Sequence, residues 1–237
     1  EILRCLVGSE MCIRDRYTIL LLFAVCGAVP TDLCYNHSRI KTNQEMDIVT
    51  VDRQKVLDAF AAYIRPYDAQ DPKVSLKIHH TYRVAALCEQ IGRSIALEGT
   101  ALDLAWLCGM LHDVGRFEQL RRFGTFDDSK SIDHARAGVQ VLFEQGHIRD
   151  YLDDDSEDAM LRTAVEWHSA YRLPDGLDER TVMYCNILRD ADKIDILRVN
   201  VETPLEDIYN VTTAELLASP VTPAVQQAFY EHHAVLR

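Results

Sequence analysis

The sequence is poor in chain breakers: its 237 residues include only 10 glycines and 7 prolines. That excludes collagen-like, linker-like and low-complexity chains, and 48% hydrophobic residues exclude a disordered polymer. Base is also scarce. Lys and Arg total 25 against 37 Asp and Glu, a net charge of −12. Sequence-independent binding to DNA or RNA needs a basic face, so no nucleic-acid polymer is expected as a partner. A small anionic substrate stays compatible, because a few local cations or metal ions reverse the field inside a pocket. The apolar run from Ile19 to Val25 is too short to span a bilayer, and no membrane partner is expected. The seven cysteines include no Cys-x-x-Cys pair, which speaks against a zinc ribbon or a redox motif.

The first 45 residues read differently from the rest. Residues 5 to 16, Cys-Leu-Val-Gly-Ser-Glu-Met-Cys-Ile-Arg-Asp-Arg, are similar to the translated sequence of a transposase sequencing adapter. Residues 1–45 are therefore expected to be a non-native extension, disordered or loosely helical, with Met46 as the start. The competing reading is a secretory signal, with Arg14 and Arg16 before the apolar run and Cys26-Gly27-Ala28 after it. Four cysteines fall in this segment. The other three, Cys88, Cys108 and Cys185, are scattered through apolar helical patterns. They read as reduced core thiols of a cytoplasmic protein. The segment has five acidic and five basic residues, so the remainder carries the whole −12.

From residue 46 onward no long linker and no internal repeat divides the chain, which predicts one domain, 46–237. Its periodicity is helical almost throughout. A first helix follows Thr50 or Asp52 to Tyr63, stopped by Arg65-Pro66. A second is expected from about Ser75 to Leu97, with His80 filling a gap in the stripe Leu76, Val84, Leu87, Ile91, Ile95. A third runs from Thr100 or Ala101 to about Asp113, with Gly115 as its stop and a loop over Arg116–Lys130 after it. A fourth, capped by Ser131 or Asp133, runs from about His134 to Gly146. A fifth covers about Ser156 to His168 and a sixth about Glu179 to Val199, with shorter helices to the C-terminus. The fold class expected is an all-α helical bundle with short connections.

Polar groups interrupt the inward faces of this bundle. His80, His112, Asp113, His168 and Asp192 fall at or beside core positions on different helices. A buried charge or imidazole costs several kcal/mol unless it is paired or holds a metal. One such histidine is unremarkable; five such groups ask for a common partner. Imidazole and carboxylate together suit Mn²⁺, Fe²⁺, Zn²⁺ or Mg²⁺.

The ordered set resembles the HD-domain superfamily of metal-dependent phosphohydrolases. The residues that carry the likeness are His80-Thr-Tyr-Arg83-Val84, Leu111-His112-Asp113-Val-Gly115-Arg116-Phe117, Asp133-His134-Ala135, Trp167-His168-Ser169 and Asp190-Ala-Asp192-Lys193-Ile-Asp195. The likeness covers roughly residues 55 to 200, and it implies a metal site in the core of the bundle. The resemblance implies one metal on His80, His112, Asp113 and Asp192. It implies a second on His134 and His168, with Asp113 bridging two divalent ions. Water between two such ions loses a proton near neutral pH and becomes a nucleophile. Periodicity alone leaves Asp190, Asp192 and Asp195 open. The resemblance selects Asp192, because the family aspartate precedes a basic residue, here Lys193.

The expected activity is hydrolysis of a small phosphate ester, such as a nucleotide or phosphorylated metabolite. Asp113 is the catalytic carboxylate, and Arg116 and Lys193 are the candidate phosphate anchors. For Arg116 the bland alternative is a loop arginine paired with Glu118 or Asp127. Arg83 is expected to orient a carboxylate rather than touch substrate. Two rival readings accompany this one: a mixed-valent di-iron oxygenase of the same superfamily, and a regulatory metal-binding module. Ser-Ala-Tyr-Arg-Leu-Pro after His168 departs from the cyclic-dinucleotide phosphodiesterase branch. The two middle histidines depart from the guanosine tetraphosphate hydrolases. His79, His147, His232, His233 and the run Asp153–Asp155 are expected to be solvated.

Overall fold

A computed structural model describes residues 49–204, 208 and 212–231. The expected extension 1–45, the candidate start Met46, and His232 and His233 lie outside the described residues. No strand occurs among those described, and the all-α expectation holds. The helices are α1 (Arg53–Ile64), α2 (Pro72–Ser94), α3 (Gly99–Leu111), α4 (Val114–Phe123), α5 (His134–Val139), α6 (Ile148–Tyr151), α7 (Asp158–Trp167), α8 (Glu179–Glu202), α9 (Thr213–Ala218) and α10 (Pro223–Tyr230). Among these residues no helix is long and apolar enough to cross a membrane.

Capping explains most starts. The Asp52 side chain accepts from the amides of Gln54 and Lys55 at the head of α1, Asp133 from Arg136 in α5, and Asp178 from Thr181 in α8. The second helix begins earlier than expected. Asp71 caps it and Pro72 occupies its first turn, a position where a missing N–H costs nothing.

Helix α3 is apolar apart from its first turns and sits at the centre, with Leu104, Leu107, Met110 and Leu111 fully buried. Each such side chain contributes roughly 1.5–3 kcal/mol on burial. Helix α2 packs along α3, α8 packs across α2, α3 and α7, and α4 packs on α5. Cys88, Cys108 and Cys185 are buried free thiols within this core.

Two expectations need correction. Gly115 does not stop a helix, and residues 116–123 are not loop. The chain breaks for two residues at His112-Asp113 and re-enters helix as α4, burying Val114, Phe117 and Leu120 at i, i+3, i+6. The real loop is 124–133, with a single 3₁₀ turn at Asp128–Lys130. The fourth helix is also shorter in α form. It continues from Val139 as one wider π-type turn over Gln140–Glu144, and the short α6 follows.

Glycine at 115 serves close approach instead. A β-carbon there would overlap the His134 carbonyl oxygen and the Gly138 amide, so only glycine lets α4 rest backbone-to-backbone on α5. Gly109 does the same for α3 on α2, where a β-carbon would lie 2.5 Å from Ala85 Cα. Gly115→Ala and Gly109→Ala should each cost about 1–3 kcal/mol or more, read as a lower Tm in thermal denaturation. An unchanged Tm in either variant would show that these helices can separate without penalty.

Candidate metal centre

The two-residue break between α3 and α4 builds the centre. On a continuous helix His112 and Asp113 would diverge by about 100°. Here His112 keeps helical angles at the end of α3, while Asp113 turns to φ −104°, ψ 15°. Both side chains then point to one place. The Tyr63 hydroxyl steadies the junction by donating to the Val114 carbonyl at 3.0 Å.

The structure gathers all six residues predicted as ligands. His80 comes from the middle of α2, His134 from the head of α5, His168 from the tail of α7 and Asp192 from α8. They form two groups that could hold a metal ion, His80–His112–Asp192 and Asp113–His134–His168. Within each group two Nε2 atoms lie close together, 3.3 Å apart for His112 and His80 and 3.1 Å for His134 and His168. The His112 and His168 rings meet edge to face at 5.2 Å, so the groups adjoin.

Asp113 divides its carboxylate between them. Its Oδ2 is 3.4 Å from His112 Nε2 and 3.6 Å from His80 Nε2. Its Oδ1 is 3.8 Å from both His134 Nε2 and His168 Nε2. Asp192 Oδ1 stands 3.0 Å from His80 Nε2.

The other nitrogen of every ring is committed. His112 Nδ1 donates to the Gly109 carbonyl and His168 Nδ1 to the Val165 carbonyl, both at 2.7 Å. His80 Nδ1 donates to Asp195 Oδ2 at 2.7 Å, and His134 Nδ1 to Asp128 Oδ2 at 2.5 Å. Carbonyls and carboxylates accept, so each Nδ1 donates and each ring turns its Nε2 inward. Four inward Nε2 atoms and two carboxylates thus converge as one set of nitrogen and oxygen donors. That donor set, with each imidazole oriented through its other nitrogen, fits a divalent metal ion in each group.

The electrostatics agree. Burial would raise Asp113 and Asp192, yet both are held below the usual carboxylate range, Asp113 by Lys77 and His112 and Asp192 by His80. Burial pushes His134 down, and it pushes His168 down to about 3 with help from its neighbouring imidazoles. His112 is raised, because Asp113 outweighs its burial. Asp128 falls to about 2 despite burial, through His134, Arg116 and Gln119.

The remaining predicted residues are placed less simply. Arg116 lies on α4, not in a loop, and pairs with neither Glu118 nor Asp127. Its Nη1 donates to Gln119 Oε1, the Phe126 carbonyl and Asp128 Oδ1 at 2.7–2.8 Å, and its Nε is 3.7 Å from Asp113 Oδ1. Lys193 donates to the Arg189 carbonyl on its own helix at 3.2 Å. Arg83 grips Asp195 with two N–H groups at 2.7 and 3.0 Å, and so orients a carboxylate as expected. His79, His147 and Asp153–Asp155 are exposed.

Two contributors, Asp128 and Lys77, escaped the sequence reading, and a third, Asp195, was left open beside Asp192. Asp195 orients His80, and Asp128 orients His134. The signal for Asp195 was its helical spacing, three residues after Asp192. Lys77, one turn before His80, buries its ammonium 2.7 Å from Asp113 Oδ2. Its i, i+3 spacing to His80 was the available signal. A cleft of about 820 Å³ bounded by Lys55, Tyr63 and Tyr151 lies elsewhere and contains none of the predicted residues.

A fold of this kind, with its polar groups centred on a His-Asp doublet, defines a class of metal-binding helical domains. The family model described as HD domain matches residues 78–197, and the chain belongs to that family. Its members are mostly metal-dependent phosphohydrolases. No match was found among curated proteins or among solved structures.

The depressed histidines predict a pH dependence for the metal-free protein. Between about pH 6.5 and pH 3 the unfolded chain binds a proton that folded His168 refuses, and His134 acts in the same sense. Their contribution to stability is present above that window and lost as pH falls through it. His112 acts in the opposite sense. His168→Asn should flatten the fall of stability from about pH 6 to pH 4, by up to about 1.4 kcal/mol per pH unit. Denaturant titrations across that range measure it, and a slope equal to wild type would contradict the assignment.

Proposed function

We propose that this chain hydrolyses a small phosphate ester, a nucleotide or phosphorylated metabolite, with two divalent ions. The observation that carries the reading is the pairing of four inward Nε2 atoms in two groups on either side of one carboxylate. His80, His112, Asp192 and Asp113 Oδ2 would hold one ion. His134, His168 and Asp113 Oδ1 would hold the other. Bound there, divalent ions lower the pKa of water and neutralise phosphate oxygens. Mn²⁺, Fe²⁺ and Mg²⁺ suit the mixed nitrogen and oxygen donors, as does Zn²⁺.

The protein's own part is positional. Asp195 and Asp128 fix two imidazoles, and the Gly109 and Val165 carbonyls fix the other two. Arg116, tied to Asp128 through Nη1, keeps its Nε turned toward Asp113, where a phosphoryl oxygen would be met. Lys193 reaches a phosphate only by leaving the Arg189 carbonyl. No residue need form a covalent intermediate with the substrate.

Asp113→Ala removes the shared ligand. It should lose both ions by elemental analysis and lower kcat/KM by about 10³-fold or more. The assay is release of phosphate from a panel of esters under strictly anaerobic conditions, with Mn²⁺, Mg²⁺ and Fe²⁺ added separately. Full turnover in the variant, or O₂ consumption without phosphate release by the wild type, would overturn the reading.

A further inference from the structure

The nitrogen and oxygen donors account for five buried polar residues, but not for Lys77. Its side chain is 10% exposed, against 0–3% for the four histidines and Asp113. Arg116 and Asp192 are each 16% exposed. The centre is thus most open to solvent at Asp192, Lys77 and Arg116. The two cations flank Asp113, Lys77 at Oδ2 and Arg116 at Oδ1. The Phe126 ring lies against both, 5.2 Å from Lys77 Nζ and 5.8 Å from the Arg116 guanidinium carbon.

Both cations hold donors in reserve. An ammonium has three N–H bonds. Lys77 uses one on Asp113, and among the described residues no other hydrogen-bond acceptor meets it. Arg116 Nε is buried with no hydrogen-bond partner. A buried donor without an acceptor, as Arg116 Nε is, is costly, and an oxygen of a bound anion would satisfy it.

We propose that Lys77 and Arg116 form a cradle for a terminal, dianionic phosphoryl group, and that Lys77 makes the site select a phosphate monoester over a diester. The inference rests on the two-ion hydrolase reading for the identity of the anion. Charge matching supplies the preference. Arg83 is neutralised by Asp195 and Arg116 by Asp128. Asp113 and Asp192 offset half the charge of two divalent ions. The Lys77 ammonium then raises the remaining charge to three positives. A monoester dianion together with an attacking hydroxide cancels three, whereas a diester monoanion with hydroxide leaves one uncompensated. In a buried site an uncompensated charge is strongly unfavourable. Lys77 need not move, since one N–H can stay on Asp113 while the others meet phosphoryl oxygens.

The test compares wild type, Lys77→Met and Lys77→Arg, all loaded with Mn²⁺, with metal content and Tm measured for each. Inorganic phosphate binding is followed by calorimetry, and turnover is followed on para-nitrophenyl phosphate and bis(para-nitrophenyl) phosphate. Lys77→Met should keep its metal, bind phosphate about tenfold or more weakly, and lose monoester kcat/KM by at least as much. Its diester kcat/KM should change far less. Lys77→Arg should recover most of the phosphate binding. Wild-type phosphate binding in a metal-replete Lys77→Met, or equal losses on both esters, would overturn the cradle. Metal loss in both variants would do so too, making Lys77 a metal-retention residue. If Lys77-dependent phosphate binding is found but neither ester is hydrolysed, the cradle stands and the hydrolase reading fails.

Discussion

Everything in this structure turns on one carboxylate held between two groups of imidazoles. Asp113 can face both because the chain leaves helix for two residues and resumes it at once. Neither a continuous helix nor a long loop would serve. The first would swing the doublet apart, and the second would surrender the rigidity that keeps Oδ1 and Oδ2 on opposite groups. The flanking packing is correspondingly tight. Gly109 brings α3 against α2, which carries His80, and Gly115 brings α4 against α5, which carries His134.

The two groups are built alike and yet differ. Each has one imidazole oriented by a carboxylate and one by the carbonyl three residues earlier in its own helix. The carbonyl pattern belongs to His112 and His168, which sit at helix ends where a carbonyl is left unpaired by the backbone. The carboxylate pattern belongs to His80 and His134, whose partners come from α8 and from the 124–133 loop. Only the first group owns a private carboxylate, Asp192. The second relies on Asp113 alone, with Arg116 close to the same oxygen.

Much of this was legible in the residues. Helical periodicity and caps such as Asp52 and Asp133 located α1 and α5, because local propensity and burial point the same way there. His80, His112 and His168 stood out because imidazoles at apolar positions are costly. What escaped was non-local. Gly115 looked like a stop because close helix packing and helix termination use the same residue. Lys77 passed without notice because its partner lies 36 residues away. Asp195 could not be ranked against Asp192 by period alone. The answer came from which side of His80 each carboxylate reaches, Nε2 for Asp192 and Nδ1 for Asp195.

The same logic explains why Asp128 is tied so firmly. It sits in a loop, where side chains ordinarily have freedom to spare. Here its oxygens are divided among His134, Arg116 and the fully buried Gln119, which also donates to Ser131 and the Ile132 carbonyl. The loop is thereby fastened to the imidazole it must orient. Arg116 is fastened to the same carboxylate, and Phe126 packs on Arg116 and Lys77. One short segment thus sets the direction of a ligand candidate and the position of both cations beside Asp113. The polar centre and the face through which an anion would enter form a single mechanical unit.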